Sequence, residues 1–117
     1  MNDDIEKDFS RTLSKGHQGR MKAITTAPNG TAVLTYDKPL PQLGAQSLLI
    51  KVHAIALNPT DYNHVHGLAR LGSTVGCDFA GEVIEVGSEV SQSFSKGERV
   101  YGFVNGASSE LESGAFA

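Results

Sequence analysis

A chain of 117 residues, 39% hydrophobic and 20% charged, with ten Lys and Arg against thirteen Asp and Glu, makes one small, slightly acidic domain. The basic residues are scattered, which excludes a footprint for nucleic acid. A single cysteine excludes an internal disulfide and a four-thiolate zinc lobe, and the longest apolar run, Ala54 to Leu57, falls far short of the ~20 residues that cross a bilayer. The expected setting is the reducing cytoplasm, with neither nucleic acid nor membrane as partner. Thirteen glycines and no tryptophan point to a β-rich domain of many tight turns.

Residues 1–20 read as an acidic leader, disordered or weakly helical. Ile5, Phe9 and Leu13 recur every four residues, and Gly16 and Gly19 end the pattern. From Met21 the period is two. Met21 to Ala27 and Thr31 to Tyr36 predict a hairpin closed by Pro28-Asn29-Gly30, where Asn-Gly tolerates the left-handed angles of a tight turn. Pro39, Pro41 and Gly44 break the chain. Ser47 to Leu57 is the clearest strand, with Leu48, Ile50, Val52, Ala54 and Ala56 expected on a core face and Lys51 and His53 opposite. Pro59 opens a short helix, with Asn58 as N-cap and Asp61 at the positive end, and Gly67 stops it. Asp78 to Val86 and Arg99 to Val104 are the remaining strands. The predicted fold is a small, mainly β, partly open barrel with one short helix.

A search for chemistry removes several classes. No two glycines are separated by a single residue, so GxGxxG is absent, and neither a P-loop nor a GxSxG elbow occurs. His53, His64, His66, Cys77, Asp61 and Asp78 lie within a short stretch, yet their spacing offers no convergent set of three metal ligands. By itself Cys77 reads as a half-buried small hydrophobe, Asp61 as a helix-start carboxylate and Tyr62 as a half-buried helix residue. The histidines read as solvent-facing.

Taken together, the segments ALNPTDYNHVHG (56–67), VGCDFAGEVIEVGSEVSQSFSKGERVYGF (75–103) and SGAFA (113–117) resemble the amino-terminal domain of medium-chain dehydrogenase/reductases. The resemblance runs from Met21 to Ala117. Within that superfamily the chain is most similar to the zinc-independent branch of quinone oxidoreductases and trans-acting enoyl reductases of fungal polyketide pathways. It implies a GroES-like barrel, truncated before the Rossmann domain, in a protein that uses NADPH to reduce a conjugated C=C beside a carbonyl or thioester. A small-molecule or acyl-thioester substrate and a partner synthase follow from the same resemblance.

The resemblance assigns Asn58, Pro59, Thr60 and Asp61 to the loop and helix start beside the nicotinamide. Tyr62 stands at the aromatic position after Asp. Tyr62 and Asp61 are thus the candidate catalytic residues, and Asn58, Pro59, Thr60 and Asn63 the candidate cofactor-side residues, Asn63 standing where many relatives carry lysine. Mitochondrial-type enoyl reductases have a proton-donating tyrosine at the position of Ala69, so the proton must come from Tyr62, water or the substrate side. Pro59 and the pair Cys77-Asp78 replace ligand residues of zinc alcohol dehydrogenases, which implies no metal. Phe116 is expected in a strand whose neighbours are not encoded. The domain expectation is a leader at 1–20 and an incomplete GroES-like domain at 21–117. Alone, the chain is expected to bind no NADPH. The competing readings are a non-enzymatic GroES-like binding module and a fragment of a zinc-type alcohol dehydrogenase.

Overall fold

The computed structural model of the chain describes residues 19–107 and 114–117. The expected leader pattern over Ile5, Phe9 and Leu13 lies outside the described residues. Strand β1, Arg20–Ala27, begins inside the range assigned to the leader and pairs antiparallel with β2, Thr31–Pro39. Between them Asn29 and Gly30 take φ values of 62° and 67°, the left-handed pair that Asn-Gly was expected to supply. β2 runs past Tyr36 to Pro39, and Leu40 N–H donates to Gly19 O at 2.9 Å.

β3 (Leu48–Ala56), β4 (Asp78–Val86) and β5 (Arg99–Phe103) form a second antiparallel sheet in the order β3-β4-β5. Between β3 and β4 the chain makes helix α1, Pro59–Asn63, and then one π-helical turn, His64–Leu68. Gly67 leaves that turn at φ 129°, which ends it where glycine was expected to.

The alternation expected along β3 does not survive in its second half. The register with β4 slips between Val52 and Ala54, so His53 is the extra residue of a bulge. A slip of one residue exchanges the faces. Val52 and Ile55 consequently line the interior, Ile55 lying opposite Phe79, while Ala54 and Ala56 are exposed. His53 Nε2 instead stands 3.6 Å from Glu82 Oε2 on the outer face.

The two sheets face each other across an open groove of about 250 Å³. Its walls are Ile24 and Leu34 of the hairpin, Val52 and Ile55 of β3, and Phe116. This is the partly open barrel that the sequence predicts. Its closed end is knitted by backbone: Ile24 N–H donates to Phe116 O at 2.8 Å, Phe116 N–H to Val75 O at 3.0 Å, and Val75 N–H to Ile24 O at 2.9 Å. Phe116 therefore has its neighbours within the chain, contrary to expectation, because residues 72–75 occupy the edge of β1 that β2 leaves free. Thr26 N–H to Ser73 O and Gly72 N–H to Thr26 O, both 2.9 Å, continue that pairing.

Val75, Ala115 and Phe116 form the buried cluster, with Ile24, Val65, Phe79 and Val104 packed on it. Gly76, at φ 104°, leaves room for the Phe116 ring; a Cβ there would collide with it.

Candidate functional site

The chain leaves β3 at Ala56, directly opposite Asp78, the first residue of β4. Two residues later Asn58 takes an extended conformation, φ −133° and ψ 155°, and Pro59 starts α1 with a φ already suited to a helix. Asp61 is the third helical residue and is 6% exposed. Its Oδ2 accepts the Asn58 backbone N–H at 2.9 Å, and Asp61 N–H donates to Asn58 O at 3.0 Å. Asn58 Nδ2 donates to Asp78 Oδ2, also at 2.9 Å.

Two carboxylates from different elements thus grip one asparagine, which fixes where α1 starts and how it leaves the sheet. A carboxylate only accepts, so Asp78 also fixes the orientation of the Asn58 amide, with its nitrogen turned toward Asp78. Nothing in the residues around Asp78 points to this role. The link spans twenty positions and depends on the β3-β4 register, which no local pattern encodes.

Beyond the clamp the expected residues separate. Pro59, Thr60 and Asn63 are exposed on α1. Tyr62 is 64% exposed, not half-buried, because Asp61 alone of α1 is buried and Tyr62 shares the exposed side with Pro59, Thr60 and Asn63. Its ring stacks on His66, with centroids 4.0 Å apart and planes tilted by 33°. His66 is exposed as expected, yet it is engaged in this pair. The signal that could have found it was the four-residue spacing of two flat side chains on a helix start.

Asp61 Oδ1 and His64 Nδ1 are buried atoms with no hydrogen-bond partner among the described residues. Among the described residues no three of His, Cys, Asp and Glu converge to hold a metal ion. Cys77 is a half-buried free thiol. No helix among the described residues is long and apolar enough to cross a membrane.

Comparison with known proteins decides the family. The profile of the alcohol dehydrogenase GroES-like domain matches residues 44–116, more than half of the chain. The chain belongs to this family. Over 98 residues it is 46% identical to the trans-enoyl reductase resD of Aspergillus sclerotiorum, covering 83% of this chain and 28% of the relative. The trans-enoyl reductase TOXD of Cochliobolus carbonum is 42% identical over 97 residues, covering 82% of this chain and 33% of that protein. Among solved structures, the quinone oxidoreductase from Coxiella burnetii superposes with a TM-score of 0.64 at 38% identity, covering 73% of this chain and 30% of that one. The GroES-like chain therefore spans about a third or less of these relatives, and both groups named by the sequence resemblance are among them.

Proposed function

We propose that the chain is the substrate-side domain of an NADPH-dependent, zinc-independent reductase of conjugated C=C bonds, acting on an enoyl thioester or an enone or quinone. The observation that carries the reading is the Asn58, Asp61 and Asp78 clamp, which holds the NPTD segment rigid and presents Tyr62 at the surface. Similarity to trans-enoyl reductases and to a quinone oxidoreductase supports the same chemistry, and the trans-enoyl relatives favour an acyl thioester delivered by a partner synthase.

The residues fit a dinucleotide on one side only. Asp61 Oδ1 is a buried acceptor with no donor among the described residues, which suits the amide hydrogens of a nicotinamide. For the phosphates, the sequence holds no GxGxxG turn, and the described helical segments are five residues each. A dinucleotide held beside Asn58, Pro59, Thr60 and Asn63 would supply the hydride that the β-carbon of the substrate takes up. This chain's own part is to hold a proton at Tyr62 Oη, give it to the carbon beside the carbonyl as the π pair moves there, and regain it from water.

The test replaces the matched segment of resD with residues 20–117 of this chain and follows NADPH oxidation with an enoyl thioester and with a simple enone. Turnover that falls at least about tenfold on Tyr62→Phe is expected, the usual lower range for loss of a general acid being roughly 10²-fold when no water replaces it. A folded chimera that binds NADPH yet reduces neither substrate overturns the reading. The chain alone is expected to consume no NADPH. Elemental analysis separates the zinc-type alternative: about one zinc per chain, lost on chelation together with the fold, would establish it.

A further inference from the structure

We infer that His66 is a positioning residue for Tyr62, and that the tip of the β1-β2 hairpin positions His66 in turn. The inference rests on the role proposed for Tyr62. Tyr62 is an exposed phenol on a five-residue helix, and a tyrosine free to change χ1 spends only part of its time with its hydroxyl where a substrate needs it. Here one face of the ring is occupied. His66 lies against it with centroids 4.0 Å apart, closer than the ~4.5–7 Å usual for aromatic pairs.

His66 is itself backed. A methyl group placed on Gly30 would stand 3.3 Å from His66 Nδ1 and 3.6 Å from its Cα, so the hairpin tip lies close beside the histidine. Gly30 sits at φ 67°, the second left-handed residue of the Asn-Gly turn, and has no side chain to push the imidazole away. The imidazole thus stands against the phenol and beside the hairpin tip.

Each contact explains a separate sequence feature. Asn29-Gly30 brings the hairpin tip close, the π-helical turn carries His66 across to it, and the four-residue spacing returns the imidazole to Tyr62. Among the described residues Tyr62 Oη has no hydrogen bond, so the stack holds the ring and leaves the hydroxyl for a substrate. A flat side chain at 66 is required; a charge or a ring nitrogen is not.

Two substitutions separate flatness from bulk. His66→Phe keeps the face against Tyr62, and His66→Leu keeps volume against Gly30 without it. In the full chain, labelled for NMR, the Tyr62 ring protons should be shifted upfield by the neighbouring ring and show cross-peaks to position 66. Both signs should persist in His66→Phe and vanish in His66→Leu. In the resD chimera, His66→Leu should lower kcat by about tenfold with KM unchanged, and His66→Phe should recover it to within about twofold.

If Tyr62→Phe lowers kcat while His66→Leu does not, or if His66→Phe fails to restore it, the positioning role is overturned and the reading of Tyr62 stands. Should Tyr62→Phe leave kcat unaltered, the proton-donor reading falls, and the catalytic part of this inference falls with it. Absence of ring-current shifts in the unsubstituted chain overturns the stack itself, whatever the kinetics.

Discussion

The two ends of the barrel are held by different means. At the closed end, β1, residues 72–76 and residues 114–117 exchange backbone hydrogen bonds in a ring, and the small cluster of Val75, Ala115 and Phe116 fills the space they enclose. At the other, the outer face of the β3-β4-β5 sheet carries Tyr101 at 89% and Phe103 at 81% exposure, with Ala54 and Ala56 also exposed. The candidate site lies between these regimes, on a helix tied by Asn58 to Asp78 on the sheet and followed by His66, which lies beside the hairpin tip. Backbone pairing closes a fold without much apolar area, whereas side chains on an open sheet face contribute little until something covers them.

If that contrast is right, the largest losses of stability belong to the closed end. Phe116→Ala should cost about 3 kcal/mol, a large fraction of what a small domain has. Gly76→Ala should cost a similar ~3 kcal/mol, combining a positive φ with collision against the Phe116 ring. The pair sharpens the point. In the Phe116→Ala background the collision is gone, and Gly76→Ala should cost only the backbone term, roughly 1–2 kcal/mol. Urea unfolding of the four proteins gives the coupling energy. Strict additivity would mean that Gly76 and Phe116 do not share this space.

The clamp should rank next. Asp78→Ala strips the acceptor from Asn58 Nδ2, and Asp61→Ala leaves the Asn58 N–H without its carboxylate; each should cost about 1–2 kcal/mol. Asp78→Asn should cost less, because an amide oxygen can still accept, but it no longer dictates which way the Asn58 amide faces. An effect of Asp78→Ala indistinguishable from zero would show that the open sheet does not hold α1 after all.

How much of this was legible in the sequence depends on the range over which each feature is determined. The hairpin turn at Asn29-Gly30, the start of α1 at Asn58-Pro59 and the stop at Gly67 are decided by a few neighbouring residues, and all three were readable. The inward face of β3 was read correctly only as far as Val52. Alternation says nothing about a bulge, which arises when two strands with their own twists must keep both ends in register. The Asn58 to Asp78 bond and the seat of Phe116 between Ile24 and Val75 were out of reach for the same reason: both depend on which segments become neighbours after pairing. Tyr62 falls on the short helix that the residues predict, but its partner His66 lies in a π-helical turn that the residues HVHG do not announce.

The bulge at His53 makes a smaller prediction of its own. Ile55→Ala removes a half-exposed side chain from the groove wall and should cost about 1 kcal/mol, below the usual range for a fully buried isoleucine. Ala54→Thr, on the outer face, should stay within about 0.5 kcal/mol of the parent. The reverse order would restore the unbroken alternation and remove the bulge.

The least effect on folding is expected where the most apolar surface is exposed. Tyr101 and Phe103 share one face of β5, opposite Ala80 and Asp78 of β4, and neither packs on the core cluster. Replacing both by threonine keeps a side chain suited to a strand, so stability should change by no more than about 0.5 kcal/mol. What should change is behaviour between molecules. Two adjacent exposed aromatic rings on an edge strand favour contact with other chains, and their removal should lower self-association in sedimentation at a given concentration. The two measurements answer separate questions. A loss of ~2 kcal/mol would place these rings inside the fold and erase the contrast between the two ends of the barrel, whereas unchanged stability with unchanged sedimentation would leave the face exposed but not adhesive.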